Sequence, residues 1–195
     1  MKTVFVFDFD GTLTIEESLP VAAKMLGINK GFEATTRQAV TGSDDYLSNL
    51  QQRIEILSKF PNPAVADAVA TVTLRKEIVD WINSHPYICL IATSNAAEWI
   101  HKVREKIRCC WICSTLRPMI RIIDKVNVVN ELKAMGYKVV YIGDGANDCA
   151  AMEQADIAIG IMYGELICSK LADVSDYLPT DDEALVRLCD RLLSE

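Results

Sequence analysis

The chain has 195 residues, of which half are hydrophobic and 24% are charged, with a net charge of −7 and a pI near 4.9. This length suits one domain, or one domain that carries a small insertion. No apolar run reaches the roughly 18 residues that span a bilayer, and no basic cluster of the kind that binds nucleic acid is present. We therefore expect no membrane and no nucleic-acid partner.

The first residues, 1–8, carry one lysine and a short apolar run that ends in an acid. They lack the apolar length and the small-residue cleavage site of a signal peptide, so we interpret them as a buried strand. We expect a cytoplasmic protein, either a monomer or a homodimer.

The seven cysteines are odd in number, and most lie in apolar stretches, which is typical of reduced, buried thiols. The segment 109–113 contains a CxxC pattern. A structural zinc site needs four ligands, and the sequence has no second CxxC. Packing in a core strand is the default interpretation, with metal or redox chemistry as the alternative.

The predicted strands and helices alternate along most of the chain. Continuous apolar runs, typical of strands buried on both faces of a parallel sheet, occur at 3–7, 87–92, 111–116, 139–142 and 157–159. Helical patterns lie between and after them, at 96–107, 126–135, 147–154 and 182–193. This alternation predicts an α/β fold with a doubly wound, mostly parallel, Rossmann-like sheet. Such sheets bind ligands beyond the carboxyl ends of their strands.

One stretch, residues 15–75, breaks this alternation because it shows only helical periodicity. Its apolar residues Leu47, Leu50, Ile54 and Leu57 recur at three- and four-residue steps, as one buried helix face would. We expect residues 1–14 and 76–195 to form the core, with 15–75 as a small helical cap inserted after the first strand and over the crevice.

The first strand ends in two acids, Asp8 and Asp10, which extended backbone keeps on one side while Phe9 turns into the core. Gly11 and Thr12 follow, where a turn can expose backbone N–H groups to an anion. An acidic strand end that merely starts a loop is the alternative.

Two further strand ends offer groups for an anion. Ser94 is either a helix N-cap or a donor to a phosphate oxygen. Lys125 begins a helix, where a cation is unfavourable unless a phosphate lies nearby; a solvated surface lysine is the alternative.

The segment 143–148 holds two carboxylates, Asp144 and Asp148, in a glycine-bearing turn that opens a helix. Oxygen ligands of this kind suit Mg²⁺, which commonly combines one or two carboxylates with a substrate phosphate. Asp148 as a plain helix acid and Asn147 as an N-cap are the alternatives.

Together, residues 8–12, Ser94, Lys125 and 143–148 resemble the four motifs of the haloacid dehalogenase (HAD) superfamily over nearly the whole chain. The resemblance implies a Mg²⁺-dependent phosphatase on a HAD core. It makes Asp8 the covalent nucleophile and Asp10 the general acid–base. Asp8, the Asp10 carbonyl and Asp144 would hold Mg²⁺, with Asp148 supporting the metal or Lys125. Thr12, Ser94, Asn95 and Asn147 are expected to line the substrate site.

From Asp8 to Arg53 the chain further resembles phosphoserine phosphatases. The resemblance places Glu17 at the glutamate that recognises the substrate amine, and Arg53 at the arginine that grips its carboxylate. Tyr46 falls where a phenylalanine is usual, and Val40 where methionine is frequent. The alternatives are a first-turn helix acid for Glu17 and a wet surface ion pair with Glu55 or Asp45 for Arg53.

Two departures concern the pocket. Asn95 and Ala96 follow Ser94 where the phosphoserine family usually has glycines, and the segment 94–125 is shorter than usual, so we expect it to lack the hairpin that the family has there. The alternative is therefore a HAD phosphatase for another small phosphorylated metabolite, such as a sugar, amino-alcohol or sulfur-salvage phosphate. A non-catalytic phosphate-binding protein is a further alternative. A cation-pump fragment is disfavoured because pumps follow the nucleophile with lysine.

Overall fold

The computed structural model describes residues 2–28, 32, 46–163 and 167–194, apart from the side chain of Tyr46. Within those ranges, no helix has both the length and the apolar character needed to cross a membrane. Val40, noted for its place in the family pattern, and Asp45, named as an alternative ion-pair partner of Arg53, lie outside the described residues.

Five parallel strands form one sheet in the order β3-β2-β1-β4-β5. The strands are β1 (Lys2–Phe7), β2 (Cys89–Ala96), β3 (Cys110–Ser114), β4 (Tyr137–Gly143) and β5 (Ile157–Gly160). The chain adds strands on one side of β1 and then on the other, so the order reverses next to the end of β1. The predicted doubly wound parallel sheet is confirmed, and its ligand crevice lies at this reversal.

Nine helices lie among the described residues. They are α1 (Ser18–Met25), α2 (Tyr46–Leu57), α3 (Asn62–Val69), α4 (Lys76–Ser84), α5 (Ala97–Arg104), α6 (Lys125–Ala134), α7 (Ala146–Met152), α8 (Leu171–Val174) and α9 (Asp182–Ser194).

The core lies on both faces of the sheet, which explains the unbroken apolar runs in its strands. Phe5 and Phe7 point into one hydrophobic cluster, and Val4 and Val6 into the other. Because successive strand residues face opposite sides, a strand covered on both faces needs an apolar residue at every position.

The ends of the segment 15–75 meet beside the sheet. Thr14 and Leu74 form an antiparallel bridge, and the backbone N–H of Arg75 donates to the carbonyl of Leu13 at 2.9 Å. A segment whose two ends are paired can be an insertion that leaves the core intact, which supports the proposed cap at 15–75.

The predicted buried face of α2 needs one correction. Leu50, Ile54 and Leu57 are buried, but Leu47 is 63% exposed because it lies in the first turn, before the part of the helix that packs on the core.

Strand β2 extends further than the predicted 87–92, and its end is irregular. Thr93 pairs with Cys113 and Ala96 pairs with the next residue, Ser114, so Ser94 and Asn95 are extra residues in a bulge. Bulges redirect side chains and are frequent next to active sites.

In the segment 94–125, Thr115 and Arg121 exchange two backbone hydrogen bonds of 2.9 Å, so antiparallel pairing there is limited to one bridge.

Candidate active site

A small cavity of about 40 Å³ opens at the carboxyl ends of β1, β2 and β4. Nine of the predicted site residues line it, namely Asp8, Asp10, Glu17, Arg53, Ser94, Asn95, Lys125, Asp144 and Asn147. Thr12 and Asp148 are buried behind this lining, where each contacts one of its members. The fold thus brings together residues that the sequence separates by more than a hundred positions.

A buried lysine links two aspartates at the floor of the cavity. Lys125 Nζ lies 2.8 Å from Asp8 Oδ1 and 2.8 Å from Asp148 Oδ1, and all three side chains are buried. The alternative of a solvated surface lysine is therefore wrong. Two carboxylates compensate a cation at the positive end of α6, and the same cation neutralises charge beside the candidate nucleophile.

Asp148 accepts hydrogen bonds on both of its oxygens. Oδ1 accepts from the Tyr141 hydroxyl at 2.8 Å as well as from Lys125, and Oδ2 accepts from the Gly145 backbone N–H at 3.2 Å. Asp148 therefore orients Lys125 with little capacity left for other partners. A Cβ on Gly143 would lie 2.5 Å from Asp148 Cγ, so only glycine allows this close packing.

Tyr141 was missed by reasoning from the sequence, because it sits in the apolar run of β4. A signal was present, since a tyrosine in a strand buried on both faces needs a hydrogen-bond partner for its hydroxyl. The nearby acids of segment 143–148 were the candidates.

Three buried carboxylates, those of Asp8, Asp144 and Asp148, each offer an oxygen within 4.8 Å of the others. Among the described residues this is the one group of three His, Cys, Asp or Glu side chains close enough to share a metal. Burial, with repulsion from Asp148, raises the pKa of Asp8 to about 7 even beside Lys125. Burial and repulsion from Glu17 likewise raise the pKa of Asp144 well above its usual range. An all-oxygen cluster of crowded anions fits a hard divalent cation, which would relieve this repulsion.

Asp144 is held in place by the loop after β1. The Thr12 hydroxyl donates to Asp144 Oδ1 at 2.9 Å, so the side chain of Thr12 positions this carboxylate from behind the cavity lining. Gly11 adopts a positive φ of 71°, and a Cβ there would lie 2.0 Å from Asp144 Oδ2.

The Asp10 carboxylate faces the cavity between the core and the first cap helix. Its Oδ1 accepts from the Ser18 backbone N–H at 2.8 Å, and its Oδ2 lies 3.4 Å from Asn95 Nδ2. Burial raises the pKa of Asp10, while the hydrogen bonds from Ser18 and Asn95 oppose that rise. A raised pKa suits a carboxyl group that must give and take a proton near neutral pH. Ser18 was not predicted as a site residue from the sequence.

Glu17 and Arg53 enter the same cavity from the cap side. Arg53 is 4% exposed, and its Nε donates to the Asn49 carbonyl at 3.3 Å. Burial, with repulsion from Asp10, raises the pKa of Glu17 to about 8, and the attraction of Arg53 opposes that rise. The alternative of a wet surface ion pair is therefore wrong for Arg53, because its side chain is buried and lines the cavity.

Two alternatives for the phosphate-binding candidates are also wrong. Ser94 lies within β2, and Ala96 occupies the N-cap of α5. Gly145 occupies the N-cap of α7, so Asn147 lies in the first turn and faces the cavity. Both side chains are thus available to the site.

The CxxC segment lies on β3 at the edge of the sheet, and all seven cysteines are free thiols. Burial raises the pKa of Cys109 to about 12 and that of Cys113 to about 11. Cys113, the second cysteine of the CxxC pattern, is therefore a weak nucleophile, whereas Cys110, the first, is exposed, so the expectation of core packing does not hold for both thiols.

Comparison with known proteins agrees with this geometry. The profile of the haloacid dehalogenase-like hydrolases matches residues 2–156. The phosphoserine phosphatase of Methanocaldococcus jannaschii is 22% identical over 89% of this chain and 91% of its own length.

Two solved structures share the fold. A phosphoserine phosphatase described as a phospho-aspartyl intermediate analogue has a TM-score of 0.75 at 20% identity, covering 92% of this chain and 94% of its own. A substrate-bound phosphoserine phosphatase complex has a TM-score of 0.77 at 19% identity, covering 93% and 94%. The sequence profile, which covers most of the chain, shows that this protein belongs to the haloacid dehalogenase-like hydrolases.

Proposed function

We propose that this protein is a Mg²⁺-dependent phosphomonoester hydrolase that forms an aspartyl-phosphate on Asp8 and acts on O-phosphoserine. One observation carries the proposal. The cavity that holds Asp8 against Lys125 on its floor also holds Glu17 and a buried Arg53 on its cap side. A nucleophile and two charges complementary to a zwitterion therefore share one small space.

The groups that would hold Mg²⁺ are the carboxylates of Asp8 and Asp144 and the backbone carbonyl of Asp10. Asp148 would support the metal site indirectly, by orienting Lys125. Bound Mg²⁺ would neutralise charge on the phosphoryl oxygens and keep the crowded carboxylates ionised. The all-oxygen donor set supports magnesium over metals that prefer sulfur or nitrogen ligands.

In the first step the Asp8 carboxylate attacks phosphorus and the ester P–O bond breaks. The carboxylic acid of Asp10 gives its proton to the departing alkoxide oxygen, while Lys125 offsets negative charge beside Asp8. In the second step the Asp10 carboxylate takes a proton from water, which attacks phosphorus and releases phosphate and Asp8. Forming a covalent intermediate divides one difficult displacement into two easier ones.

Recognition of the serine part rests on charge. The Arg53 guanidinium presents a planar fork that matches a carboxylate, and Glu17 offers an anion to the substrate ammonium. That ammonium would lower the pKa of Glu17 from its raised value, so ionisation of Glu17 and binding of substrate would favour each other.

Kinetics on Arg53→Ala test the substrate. Loss of a buried charge partner costs about 2–5 kcal/mol, so we expect kcat/KM for O-phosphoserine to fall about 30- to 5,000-fold. The value for ethyl phosphate, which lacks both charged groups, should change less than about threefold. Arg187→Ala removes an exposed arginine paired with Glu183 at 3.3 Å and serves as the control. Equal losses on both substrates would disprove carboxylate recognition by Arg53.

Two aspartate variants test the chemistry. Asp8→Asn should abolish turnover while substrate still binds, measured by calorimetry. Asp10→Asn should slow both formation and hydrolysis of the phosphoenzyme, measured in a rapid-quench experiment. Wild-type rates in either variant would overturn the mechanism. If the wild-type enzyme prefers another phosphate ester in a metabolite screen, only the choice of substrate fails.

A further inference from the structure

The bulge at the end of β2 brings the side chain of Asn95 into the candidate site. Because Ser94 and Asn95 have no pairing partners on β3, the strand turns Asn95 toward the first cap helix. Asn95 is 2% exposed and lines the cavity. It stands where the phosphoserine family usually has a glycine, so its amide is an addition to the site.

The orientation of the Asn95 amide follows from its neighbours. Its Oδ1 accepts the Ala96 backbone N–H at 2.8 Å, and its own backbone N–H donates to the Thr93 hydroxyl at 3.0 Å. If the amide were rotated by 180°, its NH₂ group would face the Ala96 backbone N–H, which is also a donor, and its oxygen would face the Asp10 carboxylate. Nδ2 therefore faces Asp10 and Ser18.

Both protons of this nitrogen have acceptors. Nδ2 lies 2.7 Å from the Ser18 Oγ and 3.4 Å from Asp10 Oδ2. The Ser18 backbone N–H in turn donates to Asp10 Oδ1 at 2.8 Å. Asn95 thus contacts the Asp10 carboxylate directly, at the long end of hydrogen-bond distances, and more firmly through Ser18. With both donors engaged, the Asn95 amide nitrogen has little left to offer a substrate.

We propose that Asn95 is a positioning residue that fixes the plane of the Asp10 carboxyl group toward the leaving oxygen of the substrate. Donors on both carboxyl oxygens, one from β2 and one from α1, restrict rotation about the Asp10 side chain. Restricting that rotation matters because proton transfer requires the carboxyl oxygen within hydrogen-bond reach of the departing oxygen. The proposal rests on the proposed acid–base role of Asp10.

The test compares leaving groups. Departure of an alkoxide needs a proton from Asp10, whereas p-nitrophenolate is a stable anion that leaves without one. The ratio of kcat/KM for ethyl phosphate to kcat/KM for p-nitrophenyl phosphate therefore reports on proton delivery, and kcat/KM excludes the later hydrolysis step. We expect Asn95→Ala to lower this ratio about 10- to 100-fold, because a misplacement of about 1 Å costs up to 10²-fold.

Asn95→Asp keeps the shape of the side chain but replaces the donor with an acceptor, so its ratio should fall at least as far. Ser18→Ala keeps the backbone donor to Asp10 and removes only the hydroxyl, so we expect a smaller fall of about threefold to tenfold. Asn83→Ala is the matched control, since Asn83 uses its amide on the Lys106 carbonyl at 3.1 Å, outside the site. Its ratio should equal the wild-type ratio.

Three results would overturn the proposal. An equal loss on both esters in Asn95→Ala would indicate a structural or phosphate-binding role. A loss on O-phosphoserine with none on ethyl phosphate would indicate contact with the serine part. Unchanged kcat/KM values on both esters in the Asn95 and Ser18 variants would show that the contacts do not position Asp10. Asp10→Asn is measured alongside, and if its own ratio is unchanged, the proposed role of Asp10 fails first.

Discussion

Adding one methyl group at Gly11 tests how the loop after β1 holds Asp144. Gly11 has a φ of 71°, and a Cβ at this position would lie 2.0 Å from Asp144 Oδ2 and 2.5 Å from its Cγ. Gly136 has a φ of 85°, and its Cβ would meet no atom within 4 Å. Gly136→Ala therefore shares the backbone strain of Gly11→Ala without the collision, which makes the two variants a matched pair.

The strain of a left-handed alanine costs about 1–2 kcal/mol in both variants. For a chain of this length that corresponds to a loss of about 2–8 °C in Tm. Gly11→Ala must also displace a buried carboxylate that accepts from Thr12 at 2.9 Å, which adds about 1–3 kcal/mol of overpacking.

The larger difference should appear in catalysis. Relieving the overlap moves Asp144 or the loop by about 1 Å, and such a shift in a site costs about 10²-fold. We expect kcat/KM on p-nitrophenyl phosphate with saturating Mg²⁺ to fall at least about 10²-fold in Gly11→Ala. Gly136→Ala should stay within about threefold of wild type. A difference of less than threefold in kcat/KM between the two variants, with both folded by circular dichroism, would contradict this role of Gly11 in placing Asp144.

Two further predictions concern polar groups in the site. Tyr141→Phe removes the 2.8 Å hydrogen bond to Asp148 and should lower the free energy of unfolding by about 1.5–3 kcal/mol in a denaturant titration. The control Tyr137→Phe, on the same strand, should stay within about 0.5 kcal/mol, and equal effects would contradict the bond's contribution. Glu17 has its pKa raised from 4.5 to about 8, so the native metal-free protein binds a proton at Glu17 that the unfolded chain releases between those values. The wild-type free energy of unfolding should therefore fall, relative to Glu17→Gln, as pH rises from about 4.5 to 8. We expect Glu17→Gln to be the more stable of the two at pH 8.5, and parallel pH profiles would count against a proton held by Glu17 in the native protein.

The acids of the site and Ser94 could be placed at strand ends from local pattern, whereas Glu17 and Arg53 were assigned only through the family resemblance. The unbroken apolar run of β1 predicted a central strand, and the acids Asp8 and Asp10 after it predicted the site, because parallel strands end at the same edge of a sheet. The motif 143–148 was recognisable for the same reason. These features are local, because each depends only on residues that are close together in the sequence.

Choices between alternatives required the tertiary structure. Whether Lys125 was a surface lysine or a buried partner of Asp8 depends on burial, and burial depends on what packs from elsewhere in the chain. The same holds for Arg53, whose helical pattern does not reveal that its guanidinium enters the cavity. The exposed Leu47 shows the converse, because periodicity does not state where along a helix packing begins.

Local pattern in the sequence predicts the succession of strands and helices and the polar groups at the strand ends, and the family resemblance indicates the class of chemistry. Which of those groups touch depends on tertiary packing. Tyr141, whose hydroxyl donates to Asp148, lies inside an apolar run of the sequence. Asn95 reaches Asp10 because a bulge in β2 redirects its side chain. Contacts between residues 85 positions apart depend on how strands are laid side by side, and no local periodicity encodes the direction in which a bulged residue points.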